Sequence, residues 1–142
     1  MLTPLGYSEF AQGEWQEKVF KIWLEYDKFL KEVGALDFDD LLLKTVELFK
    51  KDEAVLSKWQ ERLTHIFIDE WQDTNKIQYT LIKLLVGKHL PAGRQENLTV
   101  VGDASQSIYS WRGADFRNIT YLIRDFPKIK VINLEQNYRS TQ

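Results

Sequence analysis

The sequence predicts an α/β protein: a short parallel sheet with flanking helices, preceded by a helical segment. Two observations carry this prediction. Up to residue 63, apolar residues recur at three- and four-residue steps, which is the period of an amphipathic helix. After residue 63, short apolar runs alternate with helical patterns. Strands that are apolar throughout are typical of a parallel sheet whose strands are buried between crossover helices.

The helical segment is predicted to contain three helices. The longest runs from Tyr7 to Val33, a stretch without proline, and Gly34 is placed to end it. The second begins after Asp37, a candidate N-cap, and places its apolar residues on one face. The third covers Glu53 to Leu63.

Three short apolar runs are the candidate strands of the sheet. They are THIFID (64–69), NLTVVGD (97–103) and KVINL (130–134). Two helical patterns separate them, NKIQYTLIKLLVG (75–87) and ADFRNITYLIRDF (114–126). Gly87 ends the first helix and Pro127 closes the second, while Asp73 and Thr74 are candidate N-caps of the first. The polar loop between the first helix and the second strand contains glycine and proline and is expected to be exposed.

Composition excludes several classes of protein. The chain has 142 residues, a net charge of −2 and no cysteine. Disulfide frameworks and thiolate metal sites are therefore excluded, and a cytoplasmic protein is expected. The segment MLTPLGYSEF lacks the basic and apolar regions of a signal peptide. No apolar run approaches the length that spans a bilayer, so no membrane partner is expected.

Carboxylates follow the first predicted strand in the segment IFIDEWQDTN (66–75). Ligands of open parallel sheets bind outside the carboxyl ends of the strands. One use of an apolar strand that ends in Asp-Glu is the Walker B site, where the aspartate binds Mg²⁺ and the glutamate orients the attacking water. Asp69 and Glu70 fit these two roles. The alternative is that they are solvated loop charges or part of a helix cap.

The phosphate-binding half of such a site is missing from this sequence. A phosphate-binding loop requires the pattern G-x-x-x-x-G-K-[ST], whose backbone N–H groups surround the phosphates. The Gly87-Lys88 pair is followed by His89, and Ile82 stands where the first glycine is needed. The sequence thus contains an acidic half-site without its phosphate cradle.

Three segments resemble, in order and spacing, motifs II, III and IV of the UvrD/Rep/PcrA-type superfamily-one DNA helicases. They are DEWQDTN (69–75), VVGDASQSIYSWRGAD (100–115) and LEQNYRS (134–140). The resemblance implies a partial RecA-like domain of the P-loop NTPase type. Residues 64–142 would form the C-terminal part of the first RecA-like ATPase domain. Residues 1–63 would be helices of the inserted subdomain and its return to the ATPase domain.

The resemblance also implies roles at a nucleotide site. Asp69 would bind Mg²⁺ and Glu70 would activate the hydrolytic water. Gln106 would sense the γ-phosphate of ATP and couple it to DNA. Arg139 would act as an arginine finger on the same phosphate, and Tyr138 would stack on the adenine. An arginine suits this role because its planar fork matches phosphate oxygens.

The resemblance also implies that a second set of residues binds single-stranded DNA. Trp111 and Tyr109 would stack on bases, and Arg112 would contact the strand. Each has an alternative: the two aromatic residues can belong to a core or an interface, and Arg112 can pair with a nearby carboxylate. Two residues depart from the family pattern. Trp71 stands where tyrosine is usual, and Ser105 stands where aspartate is common.

The leading hypothesis is an internal fragment of an ATP-dependent 3′–5′ DNA helicase that couples ATP hydrolysis to translocation on single-stranded DNA. Mg²⁺ and ATP would be cofactors of the intact parent, with none bound by the fragment, which is expected to be inactive alone. The fragment can also self-associate through surfaces that the parent covers. The alternative hypothesis is a degenerate helicase remnant that acts as a DNA- or protein-binding module.

Overall fold

The computed structural model describes residues 4–87, 98–106, 117–136 and 138. Within these ranges the chain forms six α-helices, two strands and two 3₁₀ turns. In chain order they are α1 (Pro4–Ser8), α2 (Glu14–Val33), α3 (Phe38–Lys51), α4 (Glu53–Arg62), β1 (Ile66–Ile68), a 3₁₀ turn (Trp71–Asp73), α5 (Lys76–Val86), β2 (Leu98–Val100), a 3₁₀ turn (Ala104–Gln106) and α6 (Asn118–Asp125). The predicted α/β class is confirmed.

The chain divides into two compact units, Met1–Thr45 and Val46–Gln142. The boundary between these units falls within α3. The predicted domain boundary after residue 63 concerns the architecture of a larger protein, and it stays a prediction.

In the first unit, the single helix predicted over Tyr7 to Val33 is wrong. The chain forms α1, leaves the helical path, and begins α2 only at Glu14. The break lies at Gly13, whose φ of 107° is incompatible with a right-handed helix and is open to glycine. The Gly13 carbonyl nevertheless accepts the first helical hydrogen bond, from the N–H of Glu17. Gly34 ends α2 in the left-handed conformation, as predicted.

The N-terminus of α3 confirms Asp37 as its cap. The Asp37 carboxylate accepts the backbone N–H of Asp40 at 2.8 Å and the hydroxyl of Tyr26 at 3.0 Å. The N–H of Asp40 and the Tyr26 hydroxyl lower the pKa of Asp37, because both favour the charged form. The apolar face predicted for this helix is only partly buried: Phe49 is buried, whereas Leu41 and Leu48 are exposed. Val46, which was not predicted to be on this face, is also buried.

In the second unit, β1 and β2 form a parallel pair, as predicted. Ile66 pairs with Leu98 and Ile68 pairs with Val100. One face of this pair packs against the buried core, which consists of Trp71, Tyr79, Ile82, Val86 and Leu122. The other face is open, because the side chain of Phe67 is 73% exposed. The expectation of strands buried on both faces is therefore wrong for the described residues.

The third predicted strand, KVINL, is absent. Residues 130–134 are described and form neither strand nor helix. Val131, Ile132 and Leu134 are exposed. A strand requires a neighbouring backbone to accept and donate its hydrogen bonds. Within the described ranges the sheet contains β1 and β2 alone, and neither pairs with this segment.

The N-cap of α5 is Asn75 rather than the predicted Asp73 or Thr74. The Asn75 side chain accepts the N–H groups of Ile77 and Gln78, and the Gln78 side chain accepts the N–H of Asn75 in return. Asp73 does not cap the helix because it is part of the preceding 3₁₀ turn. The helix therefore begins after Asn75, whose side chain forms the reciprocal capping box with that of Gln78.

A cluster of polar side chains joins α5 to α6. Asp125 accepts hydrogen bonds from the Tyr79 hydroxyl at 2.7 Å, from Lys83 Nζ at 2.6 Å and from Arg124 Nε at 3.0 Å. The bonds from Lys83 and then Tyr79 hold the pKa of Asp125 well below its usual range. Burial, and then the bond to Asp125, raises the pKa of Tyr79. These contacts fix α6 over the core.

Replacing Asp125 by alanine is expected to lower the free energy of unfolding by about 1–3 kcal/mol at neutral pH. A carboxyl whose pKa is lowered by folding stabilises the protein above its unfolded pKa of about 4, and this contribution is lost as the pH falls toward the lowered value. The difference in the free energy of unfolding between wild type and Asp125→Ala should therefore shrink below about pH 4. Urea unfolding followed by circular dichroism at several pH values measures it.

The matched control for Asp125 is Glu61→Ala, which removes an exposed carboxylate from α4. Its expected effect is within about 0.5 kcal/mol at every pH. The role assigned to Asp125 would be contradicted if the two substitutions lowered the free energy of unfolding equally. It would also be contradicted if the loss in Asp125→Ala grew as the pH fell.

Among the described residues, no helix combines the length and the apolar character that crossing a bilayer demands.

Candidate active site

The predicted carboxylate pair lies at the carboxyl end of β1. Both Asp69 and Glu70 are exposed. The Asp69 side chain folds back, and its Oδ1 accepts the backbone N–H of Glu70 at 2.9 Å. This bond positions the first carboxylate close to the strand end.

Glu70 has a left-handed backbone, with φ of 49° and ψ of 46°. It is the one non-glycine residue with positive φ in the part of the chain that the structure describes. This conformation costs about 1–2 kcal/mol for a residue with a Cβ. It turns the chain sharply out of β1, so that the side chain of Glu70 stays at the surface while the next two residues enter the interior.

Trp71 and Gln72 are the two interior residues of this turn, each about 1% exposed. The N–H of Trp71 donates to the carbonyl of Val101 at 3.0 Å, and the N–H of Val101 donates to the carbonyl of Ile68 at 2.8 Å. The ladder between the two strands therefore continues past their ends. The Trp71 ring packs edge-on against Tyr79, with 5.6 Å between the ring centroids.

Gln72 connects the two strand ends through its side-chain amide. Its Nε2 donates to Glu70 Oε2 at 2.6 Å, and its Oε1 accepts the backbone N–H of Asp103 at 2.9 Å. A carboxylate can only accept and a backbone N–H can only donate, so the two partners fix which end of the amide is which.

Gly102 is required by this close approach. A Cβ at residue 102 would lie 2.7 Å from Gln72 Oε1 and 3.0 Å from the Cβ of Trp71. The first distance is too short for a real contact, so the Gln72 amide would have to move, and the second would require a shift of a few tenths of an ångström. The glycine after β2 thus allows the buried glutamine to reach the backbone of Asp103.

Asp103 in turn holds Gln106. The carboxylate accepts the Gln106 amide Nε2 at 2.9 Å and the backbone N–H of Ser105 at 2.8 Å. The bond from Gln106, and then that from Ser105, lowers the pKa of Asp103. Ser105, where the family pattern has aspartate, is exposed and donates its backbone N–H to this carboxylate.

A cleft of about 400 Å³ lies beside the carboxylate pair. Its lining includes Asp69, Glu70 and Asp73 together with Gln78 and Leu81 of α5. Asp73 Oδ1 is buried and has no hydrogen-bond partner among the described residues. The cleft is therefore acidic at one end and apolar along α5.

No cluster of three or more metal-ligating side chains occurs in the ranges that the structure describes. Mg²⁺ is typically bound by one or two carboxylates together with waters and substrate phosphates. The exposed Asp69 carboxylate fits that kind of site.

The predicted site residues divide into three groups by location. Asp69, Glu70 and Gln106 lie at the two adjacent strand ends. Tyr138 is 86% exposed, and its hydroxyl donates to Gln136 at 3.0 Å. The remaining predicted residues, Tyr109, Trp111, Arg112 and Arg139, lie outside the described residues. The predicted loop over 87–97 also lies outside them, except for its first residue, Gly87.

Sequence reasoning missed Gln72. A glutamine in a polar segment between strand and helix gives no local sign that it is buried. Its neighbour Trp71 offered a weak sign, since a large aromatic residue directly after two carboxylates indicates that the chain turns inward there.

Comparison with protein families gives a match to the UvrD/REP helicase N-terminal domain over residues 2–127. The chain is also similar to curated proteins named ATP-dependent DNA helicase PcrA. It is 44% identical to that of Leuconostoc citreum and 45% identical to that of Bacillus subtilis, each over 142 residues and 100% of the chain. It is 45% identical to that of Staphylococcus aureus over 140 residues, 99% of the chain. The chain spans 18% of the length of each of these relatives.

Proposed function

This chain belongs to the UvrD/REP helicase N-terminal domain family, and from that membership we propose that it forms part of the ATPase site of an ATP-dependent DNA helicase. The chain covers 18% of the PcrA helicases to which it is similar. The proposed protein is therefore longer, and it couples ATP hydrolysis to 3′–5′ translocation on single-stranded DNA. We call it the full-length helicase.

Within the full-length helicase, residues 64–142 form the C-terminal part of a RecA-like ATPase domain. Residues 1–63 belong to the helical subdomain inserted into it. The parallel pairing of β1 with β2 and the helices α5 and α6 over one face support this assignment. A RecA-like sheet has further parallel strands, which residues outside this chain would supply.

One observation carries the proposal: at the ends of the two parallel strands, hydrogen bonds through intermediate residues connect the Asp69-Glu70 pair to the Gly102-Asp103 segment. Gln72 and the backbone of Val101 make this connection. Ligands of parallel sheets bind at such strand ends. Carboxylates that are only solvated loop charges need no such connection. These hydrogen bonds therefore favour a ligand-binding site over that alternative.

The chain's own residues have distinct roles in this proposal. Asp69 holds Mg²⁺, which when bound neutralises charge on the phosphates of ATP. Glu70 orients the attacking water and accepts its proton. Gln106 presents its amide to the γ-phosphate from the loop after β2. Arg139 stabilises charge on that phosphate, and Tyr138 stacks on the adenine. The roles of Gln106, Arg139 and Tyr138 rest on the family resemblance.

The DNA-binding part of the proposal rests on the segment after Gln106. Trp111 and Tyr109 would stack on bases of a single strand, and Arg112 would contact its backbone. The family resemblance assigns these roles. Aromatic stacking of this kind is independent of base sequence, which a translocating helicase requires.

The 142-residue chain alone is expected to show no ATP hydrolysis above background. Its sequence has no G-x-x-x-x-G-K-[ST] segment, so it lacks the backbone N–H groups that hold the phosphates. The measurement is phosphate release from Mg·ATP with and without single-stranded DNA. Mg²⁺-dependent hydrolysis by this chain that is abolished in Glu70→Gln would overturn this part of the proposal.

The full-length helicase provides the positive control for that assay. Mg²⁺-dependent ATP hydrolysis stimulated by single-stranded DNA is the expected result. A full-length protein that folds and shows no such hydrolysis would overturn the proposed function itself.

A further inference from the structure

We propose that Gln72 is a positioning residue of the ATPase site, which fixes the carboxylate of Glu70 and connects it to Gln106. The inference rests on the function proposed above. It assigns a role to a residue that touches neither nucleotide nor water in the proposed site.

The first step of the argument is the position of Glu70. Its side chain is exposed, and on its own it would sample several rotamers. The 2.6 Å hydrogen bond from Gln72 Nε2 restrains one carboxylate oxygen. A general base contributes fully only when it is oriented toward the proton that it accepts.

The second step is the burial of Gln72. Its side chain is 1% exposed, whereas the residue that it restrains is at the surface. A buried amide left without partners costs about 1–3 kcal/mol. The position of Gln72 Oε1 is set by the backbone N–H of Asp103, at the end of β2. The carboxylate of Glu70 is therefore held, through Gln72, by the sheet itself.

The third step is the hydrogen bond that extends this connection from Asp103 to Gln106. Asp103 donates its N–H to Gln72 and accepts the Gln106 amide on its own carboxylate. Three hydrogen bonds thus join Glu70 to Gln106 without a gap. A displacement of the loop that carries Gln106 would be transmitted to the carboxylate of Glu70 through this connection.

A glutamine is the residue that this connection requires. It must donate to a carboxylate at one end and accept from a backbone N–H at the other, and it must be uncharged to be buried. A glutamate at residue 72 would retain the acceptor and lose the donor. A methionine would have a similar length and lose both.

The experiment compares Gln72→Met and Gln72→Asn with wild type in the full-length helicase. Steady-state ATP hydrolysis is measured with saturating single-stranded DNA. We expect kcat to fall by about 10–100-fold in both variants, because the base is present and misoriented, while KM for ATP changes less than about twofold. If Gln72→Met does not fold, Gln72→Asn decides, since it keeps a neutral amide that is one methylene too short to reach both Glu70 and Asp103.

The matched control is Gln60→Met on α4. The Gln60 amide also makes a hydrogen bond inside the protein, to the carbonyl of Leu84 at 2.6 Å, and neither of these residues lines the cleft beside the carboxylate pair. This substitution should lower thermal stability and leave kcat within about twofold of wild type. It separates the role in positioning from a general loss of stability.

A further measurement places Gln72→Met in a Glu70→Gln background, with single-turnover hydrolysis of labelled ATP as the readout. If Gln72 acts through Glu70, the second substitution changes the residual rate by less than about twofold. A full additional loss would contradict this role. An active wild type with kcat retained in the Gln72 variants would overturn the inference alone, whereas an inactive wild type would overturn the proposed function on which it rests.

Discussion

Glu70→Gln in the full-length helicase is expected to lower kcat for ATP hydrolysis by about 10²–10⁴-fold, the contribution typical of a positioned general base. The substitution keeps the size of the side chain and an oxygen that can accept the hydrogen bond from Gln72. It removes the ability to accept a proton from water. Because Glu70 is proposed to act on the attacking water and not on the nucleotide, KM for ATP should change little.

The control for Glu70→Gln is Glu61→Gln, the same chemical change at an exposed residue of α4. Rates of phosphate release with saturating single-stranded DNA, and melting temperatures of all three proteins, are the measurements. Retention of more than a tenth of the wild-type kcat by a folded Glu70→Gln protein would exclude Glu70 as the base.

The second large effect is expected at Trp71. Trp71→Ala should lower the free energy of unfolding of this chain by about 3–5 kcal/mol, because it leaves a cavity in the core. The side chain is 1% exposed and packs edge-on against Tyr79. Domains are typically stable by only about 5–15 kcal/mol, so this loss would remove a large share of the total. Urea unfolding followed by circular dichroism measures it.

Trp71→Phe tests which property of the indole ring contributes to the stability of the core. The Nε1–H of Trp71 is buried without a hydrogen-bond partner among the described residues. Phenylalanine keeps an aromatic ring against Tyr79 and removes this unpaired donor, so its cost should stay below about 1.5 kcal/mol. Phe67→Ala, at a side chain that is 73% exposed, should cost less than about 0.5 kcal/mol. A Trp71→Ala loss as small as that of Phe67→Ala would show that the core does not depend on this residue.

Local features of the structure were predictable where the chemistry is local. Gly34 ends α2 and Asp37 caps α3, because a left-handed residue or a short acceptor acts on its own helix end. Most helix and strand positions follow from the period of the apolar residues. The parallel pairing of β1 with β2 followed in turn from the alternation of strands and helices.

Local patterns also failed in recognisable ways. The helical spacing of the apolar residues continues through Gly13, although the backbone is not helical there. Asp73, Thr74 and Asn75 are all acceptable caps, and only the geometry of the preceding 3₁₀ turn selects Asn75. The KVINL run has the composition of a strand, but composition does not provide a neighbour for its backbone to pair with.

By itself the sequence determined the family, the α/β class and the place of Asp69, Glu70 and Gln106 at the ends of predicted strands. Only the tertiary structure decided that a buried Gln72 joins Glu70 to Asp103, and that Gly102 makes room for it. The reason is physical. A motif records which residues are near in the chain, whereas a hydrogen bond between residues 72 and 103 forms only after the two strands pair.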